Sequence, residues 1–239
     1  MMVRTPFIQS ARRWRAIGVG VLVVAGISAL TMAQQATSGA MAAAEIIFTE
    51  DFPQSNPAHY SITVDTAGHA RYECMGRVVD DSEEQPYAAE FEMSARNRER
   101  IFEWAKEAKY FADKIDSGNR KLAFTGTKTL SYRDGRRSNA AQYDYSSVEP
   151  VRQLTALFQN IASTMEYGQR LTYYHRYQKL GLDEELKDME TQARNNELSE
   201  IQGVAPVLQE IFSDTSVINV VRARAKELIQ MGNLAAAGR

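Results

Sequence analysis

The sequence predicts an α+β protein: an antiparallel β-sheet with a covering helix, a long connecting helix and a C-terminal helical hairpin. Three observations carry that expectation. Between residues 60 and 74, apolar side chains alternate at period two on both sides of a turn signal. Between 101 and 112 they recur at helical spacing instead. From Pro150 to about Leu180 one helical stripe runs with no internal proline.

Residues 1–44 read as a secretory signal or an N-terminal anchor. Arg4, Arg12, Arg13 and Arg15 form a positive start, and Ala16–Met32 is an uncharged apolar run. Small residues follow, "AQQATSGAMAAAE", as a leader's exit requires. Two outcomes stay open: cleavage after Ala33, Ala40 or Ala44, or retention of residues 16–32 as an inner-membrane anchor. The run of 17 residues sits at the short limit for a span. No Cys follows it, so a lipoprotein leader is not expected, and "ARRWRAI" lacks the usual Phe-Leu of a twin-arginine signal. The body is therefore expected in the periplasm or outside the cell.

The 239 residues carry 28 basic and 30 acidic side chains, a net charge of −2. The leader holds four Arg and no acid, so the remainder is 24 minus 30, or −6. An acidic exported body argues against nucleic-acid binding. With Cys74 as its one cysteine, the chain cannot form an internal disulfide. Cys74 alternates with Tyr72 on an apolar strand face, which marks it as a small buried hydrophobe.

The sheet-and-helix domain is expected over 45–148. Tyr60, Ile62 and Val64 pair with Ala70, Tyr72 and Cys74 across an Asp65–Gly68 turn. "DDSEEQP", residues 80–86, is a solvated acidic loop without calcium-loop spacing. Tyr87, Ala89, Phe91 and Met93 give a third strand. Ser94 caps a helix whose stripe is Ile101, Trp104, Ala105, Ala108, Phe111 and Ala112. Leu122 and Phe124, then Leu130 and Tyr132, read as strand. Asp134-Gly135 turns the chain with both central residues at positive φ, and Tyr143 and Tyr145 lie on the return.

The connecting helix, 149–180, starts at Pro150 in its first turn. Leu154, Leu157, Phe158, Ile161, Met165 and Leu171 share its stripe with Gly168, which predicts close approach of another backbone. At 1.5 Å per residue it is roughly 45 Å long, more than a small sheet covers. A second apolar segment, 181–234, supplies the remaining partner. Gly181 stops one helix and Asp183 starts the next, Pro206 restarts it, and Asp214 or Ser216 caps the last. "VLQEIFSDTSVINVVRARAKELI" resembles a single HEAT-type helical pair, with Asp214 in the turn and Val221, Arg222, Ala225 and Leu228 on the second helix. One copy cannot form a solenoid. The overall layout is similar to that of uncharacterised exported bacterial proteins with a sheet-and-helix domain of unknown function, a likeness that implies no activity.

Gly126-Thr127-Lys128-Thr129 looks like a phosphate loop but lacks its spacing, and a strand follows it rather than a helix. It reads as a Gly-marked bend or bulge. No Gly-x-Ser-x-Gly, Ser-x-x-Lys or His-Glu-x-x-His occurs. His59, His69 and His175 lack a second His at metal spacing, so no metal or cofactor is expected. The tyrosines of "EYGQRLTYYHRYQ" read as packing rather than a ligand platform.

The expectation for function is a non-enzymatic binding or interaction module; the alternative is an exported hydrolase with dispersed acid/base groups. Residues 120–137 hold six basic side chains against Asp134, a local charge of +5 against −11 elsewhere in the body. Lys128, Arg133, Arg136 and Arg137 are the candidate binding residues, with the three arginines gathered at a hairpin tip. The partner they suit is an anionic envelope component or an acidic protein face.

Overall fold

A computed structural model describes residues 43–79, 82–119 and 121–237. Residues 1–42 of the leader therefore lie outside the described residues, as do Asp80, Asp81 and Arg120. Among the described residues no helix is long and apolar enough to cross a membrane.

Six antiparallel strands form one sheet: β1 (Glu45–Asp51), β2 (His59–Asp65), β3 (His69–Gly76), β4 (Gln85–Glu92), β5 (Thr127–Arg133) and β6 (Ser138–Tyr143). Their spatial order is β4-β3-β2-β1-β5-β6. The expected strands at 60–64, 70–74 and 87–91 are present. The centre of the sheet is β1, "EIIFTED", a strand the sequence reading did not single out. It pairs with β2 from Glu45↔Asp65 to Asp51↔His59 and with β5 from Glu45↔Arg133 to Asp51↔Thr127.

Period-two alternation puts one set of side chains on an inner face. Ile46, Phe48, Ile62, Val64, Tyr72 and Leu130 are fully buried there. Helix α1 (Ala95–Glu107) starts as expected at Ser94, whose hydroxyl accepts from the Asn97 N–H. Helix α2 (Glu149–Tyr177) has Pro150 in its first turn and packs Phe158 flat on Phe48, 5.1 Å between ring centroids. Its buried stripe is the expected one, with Leu157 only half-buried. At Gly168 a side chain, not a backbone, makes the close approach. A Cβ there would meet Val204 Cγ1 at 2.5 Å.

The C-terminal segment is three helices rather than a pair: α3 (Leu182–Arg194), α4 (Ala205–Ser213) and α5 (Asn219–Ala236). Between α3 and α4 the chain breaks at Asn195–Glu200, where Asn196 and Glu200 take positive φ, so the expected continuous stripe is interrupted. Pro206 lies in the first turn of α4. Helix α5 has no side-chain cap; Asp214 accepts from the Ser216 N–H inside the preceding turn instead. Arg224 donates to Asp183 and Glu190, and Arg194 to Glu227, tying α3 to α5.

Four local expectations fail for physical reasons. Leu122 and Phe124 are not strand; they lie in an irregular loop, 45% and 53% exposed. Ala112 is exposed, because α1 ends at Glu107 and a left-handed turn at Lys109, Tyr110 and Phe111 rotates the chain off the helical stripe. Tyr145 lies beyond the end of β6. The β5–β6 connection is the four-residue loop Asp134–Arg137, with only Gly135 at positive φ, because the Asp134 carboxylate accepts from the Arg136 and Arg137 N–H groups and closes a longer turn.

Candidate functional site

Register aligns Tyr87, Cys74, Tyr60, Glu50, Lys128 and Tyr143 in one row across the inner face. Lys128 and Glu50 are 3% and 7% exposed. The Lys128 ammonium lies 3.3 Å from Glu50 Oε1 and donates to the carbonyls of Thr125 (2.9 Å) and Gly126 (3.0 Å). Glu50 also accepts from Tyr60 (2.6 Å) and from Gln159 of α2 (3.0 Å). An ammonium has three protons, and these are spent on protein acceptors. Lys128 is thus not part of an exposed binding surface: it is a buried cation that holds the bend before β5. Gly126 makes that bend at φ +92°, where a Cβ would meet Phe52 Cβ at 2.9 Å. The bend precedes the strand and inserts no bulge.

Further along the same seam, the Glu166 side chain is 22% exposed. Burial pushes its carboxyl up to about 7, against a smaller opposing pull from Arg170. The Tyr72 hydroxyl lies in the field of Glu166 and Cys74 and is buried without a hydrogen-bond partner. Cys74 is a buried free thiol whose pKa burial raises.

The three arginines lie in or beside the β5–β6 loop, in three different settings. Arg133 pairs in register with Glu45 and so shares the outer face of the sheet; Arg136 is exposed in the loop. Arg137 donates to Asp134 (3.1 Å) and lies over the Tyr110 ring, 4.4 Å from its centroid. Tyr110 in turn rests on Tyr132 at 4.6 Å, and Asn139 donates to its carbonyl. Arg137 therefore secures the left-handed turn, leaving Arg133 and Arg136 without an acidic partner among the described residues.

No described element covers the outer face. Across its middle run Glu90, Arg71, Thr63, Ile47, Ser131 and Ala140, and beside them Ala88, Glu73, Ser61, Thr49, Thr129 and Gln142. Short hydroxyls occupy the centre and ion pairs the β3–β4 side, where Arg71 bonds Glu90 at 2.8 Å and Glu73 at 2.7 Å.

Two hollows flank Tyr145 at the far end of β5 and β6. One, about 550 Å³, is lined by Lys114, Asp116, Asn119, Leu122, Phe124 and Asp144; the other, about 400 Å³, by Lys128, Tyr143, Asp144, Arg152, Thr155 and Gln159. Asp116 accepts from the N–H groups of Gly118 and Asp144, so its carboxylate is spent on the loop.

Each histidine lies beside a carboxylate. His59 sits on the exposed Asp51 carboxylate and His69 on the half-buried Asp65 carboxylate. His175 (2.9 Å), Lys179 (2.6 Å) and Ser216 all bond Asp214, and the Lys179 and Ser216 contacts hold its carboxyl well below the usual range. Lys179 also reaches the Ser216 hydroxyl at 2.6 Å, but an ion-paired ammonium is no base for it. The cluster clasps the end of α2 to the α4–α5 turn. Among the described residues no three His, Cys, Asp or Glu side chains could hold a metal. The chain matches no protein-family model and no curated protein.

Proposed function

We propose that this chain is an exported envelope protein acting as a non-enzymatic binding module, with the uncovered sheet face and its Arg133–Arg136 corner as the contact surface. The observation that carries the reading is the open face itself. Six strands at about 4.8 Å spacing and seven residues at about 3.3 Å give roughly 670 Å² of flat area. That is the order of the 800 Å² or so each partner contributes to a specific interface. Its central side chains are short, so ordering them on contact costs little entropy.

Acidic β3–β4 side chains and the arginine corner give the face a direction, which orients an anionic partner at the β5–β6 end. The positive leader and its apolar run support export. The test is a double substitution, Arg133→Glu with Arg136→Glu, leaving Arg137 in its structural role. Salt-sensitive sedimentation with phosphatidylglycerol vesicles or isolated envelopes should fall at least tenfold while the melting temperature holds. Equal sedimentation of variant and parent at low salt would remove the corner from the proposal. Thr49→Lys with Thr129→Lys then tests the face alone.

A further inference from the structure

We infer that the cleft on either side of Tyr145 is a binding site for a neutral oligosaccharide. This goes beyond the sheet face and does not depend on it, because the cleft lies at the opposite end of β5 from the arginine corner.

Four features of the cleft specify that ligand class. The first is a pair of half-exposed aromatic rings. Phe124 is 53% and Tyr145 46% exposed, although each is anchored. Phe124 meets Phe52 edge-on at 5.9 Å. The Tyr145 carbonyl accepts from the Ser117 N–H at 2.9 Å, and the neighbouring Ser146 hydroxyl donates to Ile115 at 2.6 Å. A packed ring such as Phe124 and a ring on a fixed backbone such as Tyr145 lose less entropy on binding than free side chains, and their negative π faces attract the polarised C–H face of a pyranose.

The second feature is mixed polarity. Beyond the bonds they make within the protein, Asn119 keeps its amide nitrogen, Gln159 its amide oxygen, Thr125 its hydroxyl proton and Asp144 its second carboxylate oxygen for a ligand. A sugar hydroxyl both donates and accepts, so a wall carrying both kinds of group suits a polyol better than an ion. The third is charge balance. Lys128 is paired with Glu50 and Arg152 with Glu149, so among the lining charges Lys114 stands against Asp116 and Asp144. One positive and two negative groups, Asp116 among them already spent on the loop, leave no surplus cation to select an anionic ligand.

The fourth is extent. The hollows of about 550 and 400 Å³ share Asp144 and Tyr145 as a common wall, and each falls in the usual range for small-ligand sites. Two such hollows sharing one aromatic wall fit successive units of a chain better than one compact molecule.

The test is calorimetric titration of the full-length protein with chitotetraose, cellotetraose, maltotetraose and laminaritetraose. At least one should bind with a Kd between about 10 μM and 1 mM, as expected of a shallow cleft. Tyr145→Ala should weaken that binding tenfold or more, and so should Phe124→Ala. Leu180→Ala, on the 98% exposed Leu180 remote from the cleft, should not. Circular dichroism and an unchanged melting temperature confirm that the variants are folded, as substitution at half-exposed rings permits. Absence of binding by all four sugars at 10 mM, or equal binding by the Tyr145→Ala/Phe124→Ala double variant, would overturn the inference. Neither result would bear on vesicle binding by the arginine corner.

Discussion

Replacing Lys128 by Met tests the assignment of this residue to the core. The side chain is 4% exposed and that of Glu50 9%, so the pair is desolvated on both sides. Methionine matches the length of the aliphatic stem but removes the charge and the donors to Thr125 and Gly126. Glu50 is then left with Tyr60 and Gln159 as donors and no cation. Breaking one side of a buried pair costs about 3–5 kcal/mol. Two neutral hydrogen bonds remaining on Glu50 place this case at the lower end, near 3 kcal/mol. A second change, Glu50→Gln, removes the stranded charge while keeping an acceptor for Tyr60. The double variant should recover at least about 1 kcal/mol, a coupling of the size expected for groups in contact. Urea unfolding at pH 7, followed by far-ultraviolet circular dichroism, reads both numbers. A loss below about 1 kcal/mol for Lys128→Met, or strict additivity in the double variant, would refute the buried-pair reasoning.

Glu166 makes stability pH-dependent. Its folded pKa of about 7 exceeds the ordinary 4.5, so the unfolded chain ionises first and stability falls as pH rises from about 4.5 to 7. At 1.36 kcal/mol per pKa unit the loss is at most about 3 kcal/mol, and Glu166→Gln should flatten this part of the urea-midpoint profile. At Gly168, alanine must push Val204 aside and should cost about 1–3 kcal/mol despite better helix propensity, with Val204→Ala relieving the clash. Cys74 should react slowly with a thiol reagent in the native protein and rapidly in urea; equal rates would contradict its burial.

The parts of the fold legible in the sequence are those where one period dominates. Tyr60, Ile62 and Val64 against Ala70, Tyr72 and Cys74 gave the first hairpin its register, and the stripe from Leu154 to Leu171 gave the long helix its buried side. β1 was hidden because Glu50 stands where a third apolar residue would complete Ile46 and Phe48. That break in the pattern was the available sign of a buried ion pair, although its partner, Lys128, is 78 residues further on, 128 minus 50. Leu122 and Phe124 alternate like a strand, but a partner strand is what makes alternation into a sheet, and none adjoins them. The cleft was illegible for a related reason. Asp116, Phe124, Tyr145 and Arg152 meet only because the loop after α1 bonds to residues 144–146, an arrangement no local spacing encodes.

The position of β1 also imposes an order on assembly. Its pairing with β2 is local, whereas its pairing with β5 joins Glu45 to Arg133, 88 residues away, 133 minus 45. A chain emerging from a ribosome or a translocation pore can form the β1–β4 meander early, while β1 presents an unpaired edge until β5 follows. A long unpaired edge invites association with other chains. The polar side chains at Glu45, Thr49, Glu50 and Asp51 make that edge a poor aggregation template. Glu50 thus protects a waiting strand before it ever meets Lys128. A chain truncated after Gly126 should be held soluble by this charge, and Glu50→Val in that fragment should precipitate it, as read by light scattering.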